Sequence, residues 1–202
     1  MYTAAERLNL AADKATHALS VIEYPHHEVH GGSAFTCHFS NDCTNTGEMT
    51  VIAFNTGDSK KWVHLVAEVT ATAAAYFAVY ETTSIDNGEG TTLTIYNRNR
   101  NSSNTSTVST IEATPTVGSA TSFNEGQANG ANITTTTELV RTYVGAGEKV
   151  NASGGDTRGV SEFVLKQNTQ YAFMLVSTTD DDNTHNIVLD WYEHQDKEVT
   201  VS

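Results

Sequence analysis

Beyond residue 30, the chain alternates between short apolar runs and polar stretches rich in Gly, Asn, Asp and Ser. The apolar runs are dominated by Thr, Val, Tyr and Phe, a composition typical of β-strands bounded by turns. In the first run Phe35, Cys37 and Phe39 fall on one face, and polar residues alternate with them. The pattern predicts nine strands, at residues 34–40, 48–55, 61–70, 74–82, 107–114, 136–144, 161–166, 171–178 and 186–194.

The runs between these strands contain no convincing helix. Parallel strands need long crossover connections, which are usually helices, so their absence favours antiparallel pairing. Many short strands separated by turn residues are typical of two packed sheets. The sequence therefore predicts an all-β antiparallel sandwich of jelly-roll or Greek-key type, formed as a single domain by residues 21–202.

The first 20 residues have a different character and predict a short N-terminal helical arm. Thr3 and Glu6 have the spacing of a capping box. An apolar stripe follows at helical spacing, formed by Leu8, Ala11, Ala12, Ala15 and Leu19. The segment lacks a basic start followed by a continuous apolar core, so we do not expect a secretory signal. We expect this arm to dock on its own domain or on a neighbouring molecule.

Charge and hydropathy exclude two classes of partner. The chain has 202 residues and a formal net charge of -13. An acidic surface does not favour nucleic acid, because phosphates require clustered Lys and Arg. The sequence also lacks an apolar run long enough for a transmembrane helix. We therefore expect neither a nucleic-acid partner nor a membrane partner.

The segment "HHEVH" is the first candidate for a functional site, and its candidates are His26, His27, Glu28 and His30. On a helix, histidines four residues apart are suited to binding zinc. However, Pro25 precedes the segment and two glycines follow it, which favours an edge strand. Three ligands from one strand would be poorly arranged for a metal ion. We therefore predict no metal site here and interpret the segment as a polar strand at an assembly surface.

A second candidate is "YNRNRNSSNTS" at residues 96–106, a basic island in an acidic protein. Arg98 and Arg100 alternate with asparagines, a pattern suited to hydrogen bonds with carbonyls and carboxylates. Structural bonding, within or between subunits, is the favoured interpretation, and binding of an anion or glycan is the alternative. The acidic segment 178–185 lacks the spacing of a calcium-binding loop and is interpreted as a turn between strands.

Cysteine usage and catalytic motifs add little chemistry. Cys37 and Cys43 are expected to be free thiols, although a hairpin disulfide would be possible if the chain turned near residues 40–44. The sequence contains neither a nucleophile elbow nor a phosphate-binding glycine loop. We therefore expect no catalytic residue, no metal and no cofactor. A carbohydrate-active enzyme on the same sandwich is kept only as a minor alternative.

Five segments occur in an order that resembles a group of small structural proteins of tailed bacteriophages. They are "HHEVHGGSAFT", "KWVHLVAEV", "YNRNRNSSNTS", "FVLKQNTQYAF" and "IVLDWYEH", and they extend from about residue 21 to residue 194. Each motif is weak alone, and the ordered set is fairly specific. The residues that carry the resemblance are Tyr96, Asn97, Arg98, Asn99, Arg100 and Asn101, His26, His27, Glu28 and His30, and Asp190, Trp191, Tyr192 and Glu193.

The resemblance implies a non-enzymatic virion component made in the cytoplasm of a bacterial host. The preferred expectation is a capsid decoration protein on the head surface that forms a homo-oligomer, most simply a trimer. Its partners would be other copies of itself and the major capsid protein or another virion protein. The alternative is a head-fibre, tail or adhesion protein that binds a host surface glycan through the Asn/Arg segment.

Overall fold

The computed structural model describes residues 24–58, 60–82, 85–86, 90–113, 116–117, 137–145 and 162–195. In these residues the chain forms an all-β sandwich with antiparallel pairing throughout. All nine predicted strands are confirmed. Four strands of two residues each were not predicted. The predicted N-terminal arm lies outside the described residues.

One helix and thirteen strands are present in the described part of the chain. The helix is α1 (Tyr24–Gly31). The strands are β1 (Ala34–Cys43), β2 (Met49–Asn55), β3 (Trp62–Ala71), β4 (Ala75–Thr82), β5 (Ile85–Asp86), β6 (Thr91–Thr92), β7 (Tyr96–Asn97), β8 (Ser109–Ala113), β9 (Thr116–Val117), β10 (Thr137–Val144), β11 (Phe163–Leu165), β12 (Gln170–Ser177) and β13 (Asn183–His194). No helix among these residues is long and apolar enough to cross a bilayer.

The strands pair in a nested order. One large sheet has the order β11-β3-β13-β1-β7 and the other has the order β10-β4-β12-β2-β8-β6, while β5 and β9 form a separate two-stranded sheet. Strand β1 pairs with β13, β2 with β12, β3 with β11, and β4 with β10. The first and last long strands are therefore neighbours, and each later strand pairs with a correspondingly earlier one.

The core lies between the two sheets. Alternate residues of β1 and β13 point into it, and Cys37, Ile187, Leu189 and Trp191 are at most 1% exposed. The facing sheet contributes Ile52 and other apolar side chains of β2, β4 and β12. Because strand side chains alternate between faces, the alternation in the sequence fixes which residues enter this core.

The six-stranded sheet is apolar on its other face as well. A second buried cluster there comprises Met49, Val51, Ala53, Tyr76, Ala78, Tyr80, Ala172, Met174 and Val176. Strands β2 and β12 are therefore buried on both faces. This explains why their sequences are nearly continuous apolar runs, whereas β1 and β13 alternate.

Cys37 and Cys43 are both buried free thiols, as expected. The chain does not turn near residues 40–44, because β1 continues to Cys43. Six residues of extended strand separate the two α-carbons by about 20 Å, which is far beyond the span of a disulfide. Burial, with a smaller contribution from Asp190, raises the pKa of the Cys37 thiol to about 12, so this thiol is unreactive.

Residues 178–182 of the acidic segment form the predicted turn between β12 and β13, and residues 183–185 already belong to β13. The Asp180 carboxylate accepts a hydrogen bond from the Thr46 backbone N–H at 2.8 Å. This bond lowers the pKa of Asp180 and ties the turn to the β1–β2 connection. The carboxylate thus serves a structural role between two neighbouring turns.

His185 is a buried histidine at the start of β13, with 0% of its surface exposed. Its Nδ1 atom lies 3.2 Å from Thr50 Oγ1 and 3.5 Å from Cys43 Sγ. In the described residues its Nε2 atom has no hydrogen-bond partner. Burial lowers the pKa of His185 from 6.5 to about 4, because the imidazolium form would lose its hydration.

The lowered pKa predicts a loss of stability in mild acid. In the unfolded chain the His185 ring takes up a proton near pH 6.5, whereas in the folded chain it stays neutral until about pH 4. The free energy of unfolding therefore falls as the pH drops from 6.5 to 4 and is unaffected by this group at higher pH. The loss at pH 5 should be about 1–2 kcal/mol. Urea unfolding at several pH values measures it. His185→Gln should flatten this part of the profile, whereas His38→Gln, at an exposed site on β1, should not. Parallel profiles for all three proteins would contradict the prediction.

Candidate assembly surface

The "HHEVH" segment forms a helix, so the predicted edge strand is wrong. In the described residues, helix α1 extends from Tyr24 to Gly31 and includes Pro25. The two glycines that follow terminate the helix and do not indicate a strand. An eight-residue helix is unstable alone, so its stability depends on contacts elsewhere in the fold.

The C-terminal end of α1 is closed by a Schellman motif. Gly32 has a φ of 73°, in the left-handed region that glycine adopts readily. Its N–H donates to the Val29 carbonyl at 3.1 Å, and the Ser33 N–H donates to the Glu28 carbonyl at 2.9 Å. These two bonds reverse the direction of the chain, which then continues into β1.

The Asn/Arg loop, residues 96–106, satisfies the carbonyls that the Schellman motif leaves open. The Asn99 side-chain amide donates to the His30 carbonyl at 3.0 Å. The Asn97 amide donates to the Gly32 carbonyl at 2.9 Å. The Asn104 amide donates to the carbonyls of Gly31 and Gly32 at 3.4 and 3.3 Å. A loop about seventy residues away in sequence thus caps the helix.

The same loop is organised by its own short side chains. Asn97 Oδ1 accepts from the Asn99 N–H at 2.9 Å, and Asn99 Oδ1 accepts from the Asn101 N–H at 3.1 Å. Ser102 Oγ accepts from the Asn104 N–H at 3.1 Å. Such local bonds hold turn geometry without regular secondary structure. The Asn-rich composition therefore serves the loop fold and the helix cap together.

Glu193 holds the C-terminal end of the loop and was not predicted as a site residue. Its carboxylate is buried, with the residue 2% exposed. It accepts hydrogen bonds from the N–H and hydroxyl of Thr107, from the Ser106 hydroxyl and from the Trp191 indole. A buried carboxylate needs several donors to offset its lost hydration. Glu193 faces inward because it continues the alternation of Leu189 and Trp191 along β13.

The two arginines lie at the outer side of the loop. The Arg98 guanidinium is 3.8 Å from the Asp190 carboxylate of β13, and both side chains are partly exposed. The Arg98 N–H also donates to the Ala34 carbonyl at 2.8 Å. Arg100 lies over the Tyr96 ring, 5.5 Å from its centroid. The loop therefore presents positive charge beside β1 and β13.

The four candidate residues of α1 differ in exposure. His26, His27 and His30 are exposed, whereas Glu28 is 7% exposed. His27 Nδ1 lies 3.6 Å from the Glu28 carboxylate. His26 and His30 have their Nε2 atoms 3.0 Å apart. The structure thus joins the two predicted motifs in one unit, which we call the helix–loop unit (residues 24–33 and 96–106).

A separate aromatic and acidic cluster on the five-stranded sheet was missed in the sequence. The His64 ring stacks on the Tyr192 ring with centroids 4.6 Å apart, and the His194 ring lies at the same distance from His64. The Glu162 carboxylate is 3.4 Å from His64 Nδ1 and accepts from the Tyr192 hydroxyl at 3.3 Å. These residues come from three distant segments, so only the sheet register reveals the cluster.

Gly32 gives a test of the helix–loop unit. Gly32→Ala should lower the free energy of unfolding by about 2 kcal/mol or more, because alanine is strained at this φ and its methyl group would overlap Ser102. Gly31→Ala is the matched control, since its methyl group would meet Ser33 Oγ at an ordinary 3.7 Å. That variant should stay within about 1 kcal/mol of the parent. If urea unfolding showed the same loss of free energy for both variants, the Schellman cap would not contribute to stability.

No protein-family model, no curated protein and no solved structure matches this chain.

Proposed function

We propose that this chain is a structural protein of a tailed-bacteriophage virion, and specifically a decoration protein that stabilises the outer surface of the capsid. The protein has no catalytic role in this proposal. It is made in the bacterial cytoplasm and assembles as a homo-oligomer, most simply a trimer. The ordered set of motifs supports the virion class, and the geometry of the helix–loop unit supports the assembly role.

The observation that carries the proposal is that the two most distinctive motifs of the sequence bond to each other. Residues 26–30 and 96–106 build one rigid surface feature through side-chain bonds from Asn97, Asn99 and Asn104 to the end of α1. A preordered surface loses little conformational entropy when a partner binds, which favours assembly. The exposed side chains of this feature include three histidines and two arginines.

Charge adds a second argument. The chain carries a net charge of -13, and Arg98 and Arg100 form a basic island on it. A basic patch on an acidic protein is complementary to the acidic surface of another copy or of a shell protein. A head-to-tail contact of this kind generates a closed ring when the rotation closes. The island therefore suits contact between like subunits around a symmetry axis.

Exposed apolar side chains on the outer strands fit an oligomer as well. Tyr143 and Leu139 of β10 are 69% and 40% exposed, and Val164 of β11 is 56% exposed. Strands β10 and β11 stand at the ends of the two sheet orders. Edge strands with apolar side chains are common sites of association.

The strand connections support the jelly-roll type as part of the proposal. When the eight long strands of the nested pairs are numbered in chain order, the sheets have the orders 6-3-8-1 and 5-4-7-2. This order is a hairpin of four nested pairs rolled into two sheets, to which β6, β7 and β8 are additions. Jelly rolls are frequent in viral capsid proteins.

A second candidate function is binding of a host surface glycan. A polar cleft of about 610 Å³ lies away from the helix–loop unit and is lined by Asn55, Thr56, Gly57, Asp58, Ser109, Asn168, Thr169 and Gln170. Amides, hydroxyls and a carboxylate are suited to sugar hydroxyls. The Asn/Arg loop is less suited, because its key amides already cap α1. A glycan array separates the two functions, and Asp58→Ala should abolish any signal that arises in the cleft.

The assembly role predicts an oligomer that depends on the basic island. Light scattering of the purified protein should give the mass of a trimer. The double variant Arg98→Ala/Arg100→Ala should shift the protein toward monomer with unchanged circular dichroism, and should reduce co-sedimentation with empty capsids of the encoding phage. Each well-paired arginine contributes about 1.5–3 kcal/mol.

The double variant Lys60→Ala/Lys61→Ala removes the same charge at exposed positions and is the matched control. It should assemble like the parent. A monomeric parent protein at high concentration, or equal assembly of the arginine variant and the parent, would contradict the assembly role.

A further inference from the structure

We infer that His26 and His30 form a two-point binding site for a divalent transition-metal ion on the exposed face of α1. The inference is independent of the virion role. It comes from the correction of the "HHEVH" segment from strand to helix. On a strand, residues four apart would be separated by about 13 Å, whereas in α1 the two rings face each other with their Nε2 atoms 3.0 Å apart.

This distance matches chelation. Two imidazole nitrogens, each about 2.0–2.1 Å from one ion, lie about 2.9 Å apart when their bonds meet at a right angle and about 3.3 Å apart at the tetrahedral angle. The observed separation lies between these values. The ring centroids are 4.6 Å apart and the rings are tilted by 43°. An ion can therefore be accommodated with shifts of a few tenths of an ångström.

Metal binding requires only a small change in the protonation of the His26 and His30 rings. With both rings neutral, the short Nε2–Nε2 contact requires one nitrogen to carry hydrogen and the other to accept it. Chelation needs both Nε2 lone pairs, so the first ring moves its hydrogen to Nδ1. Both rings stay neutral and no proton leaves the pair. Protons compete with the metal for these nitrogens, so binding weakens as the pH falls.

The surroundings favour a cation and hold the ligands in place. His30 lies in the last turn of α1, where the helix dipole favours positive charge. Its carbonyl is fixed by the Asn99 amide, which stiffens the turn that carries the ring.

Two protein ligands leave coordination positions open. In the described residues no group of three or more His, Cys, Asp or Glu side chains is arranged for a metal ion. Within these residues, the pair thus leaves the remaining positions open to water or to a ligand from another molecule. A site of this kind binds reversibly and follows the general affinity order of copper above nickel and zinc.

Isothermal titration calorimetry of the untagged full-length protein tests the site, with Cu²⁺, Ni²⁺ and Zn²⁺ as separate probes in a weakly coordinating buffer. We expect one equivalent of reversible binding per chain. His26→Gln and His30→Gln should each weaken it at least tenfold. His27→Gln, on a neighbouring face of the same helix, and His38→Gln, on β1, should leave it unchanged. A paramagnetic-resonance spectrum of the Cu²⁺ complex should report two nitrogen ligands, reduced to one in each ligand variant.

Two results would overturn the inference. One is a parent protein that binds none of the three ions at millimolar concentration. The other is a His26→Gln/His30→Gln variant that keeps its affinity within tenfold of the parent, which would assign the binding to other residues. Because the caps of α1 contain no metal ligand, thermal unfolding with and without EDTA should coincide. A large drop in Tm with EDTA would indicate a structural metal and not this surface site.

Discussion

The pairing of β1 with β13 is the constraint on which the rest of the structure depends. These strands match over ten residue pairs, from Ala34 with Tyr192 to Cys43 with Asn183. Because they are the first and last long strands, their register brings both ends of the domain together and leaves the remaining strands to pair in nested order inside them. The register also turns Trp191 and Glu193 inward.

The helix–loop unit is built on the end of that pair. Ser33, directly before β1, accepts a hydrogen bond from the Glu193 N–H, and β7 adds to the free side of β1. The buried Glu193 carboxylate then fixes the end of the Asn/Arg loop, whose amides close the end of α1. A short helix that would be unstable alone is thus stabilised by backbone acceptors and side-chain donors from distant segments.

The helix–loop unit gives this acidic protein a small surface with two exposed arginines. Histidines from α1 and arginines from the loop are exposed there, while the amides that organise the loop are occupied by internal bonds. The unit also provides the close His26–His30 pair, which only a helix produces.

The sequence by itself determined the all-β class and all nine long strands, because alternation with turn residues depends on local chemistry and on one buried face. It also identified the two unusual motifs, but it misjudged "HHEVH", whose flanking proline and glycines suit either a helix with caps or a strand between turns. Tertiary structure alone decided this point, since the donors that cap α1 come from residues 97–104. Likewise, only the tertiary structure revealed the donors around the Glu193 carboxylate and the cluster around His64, because contacts between distant segments leave no local pattern in a single sequence.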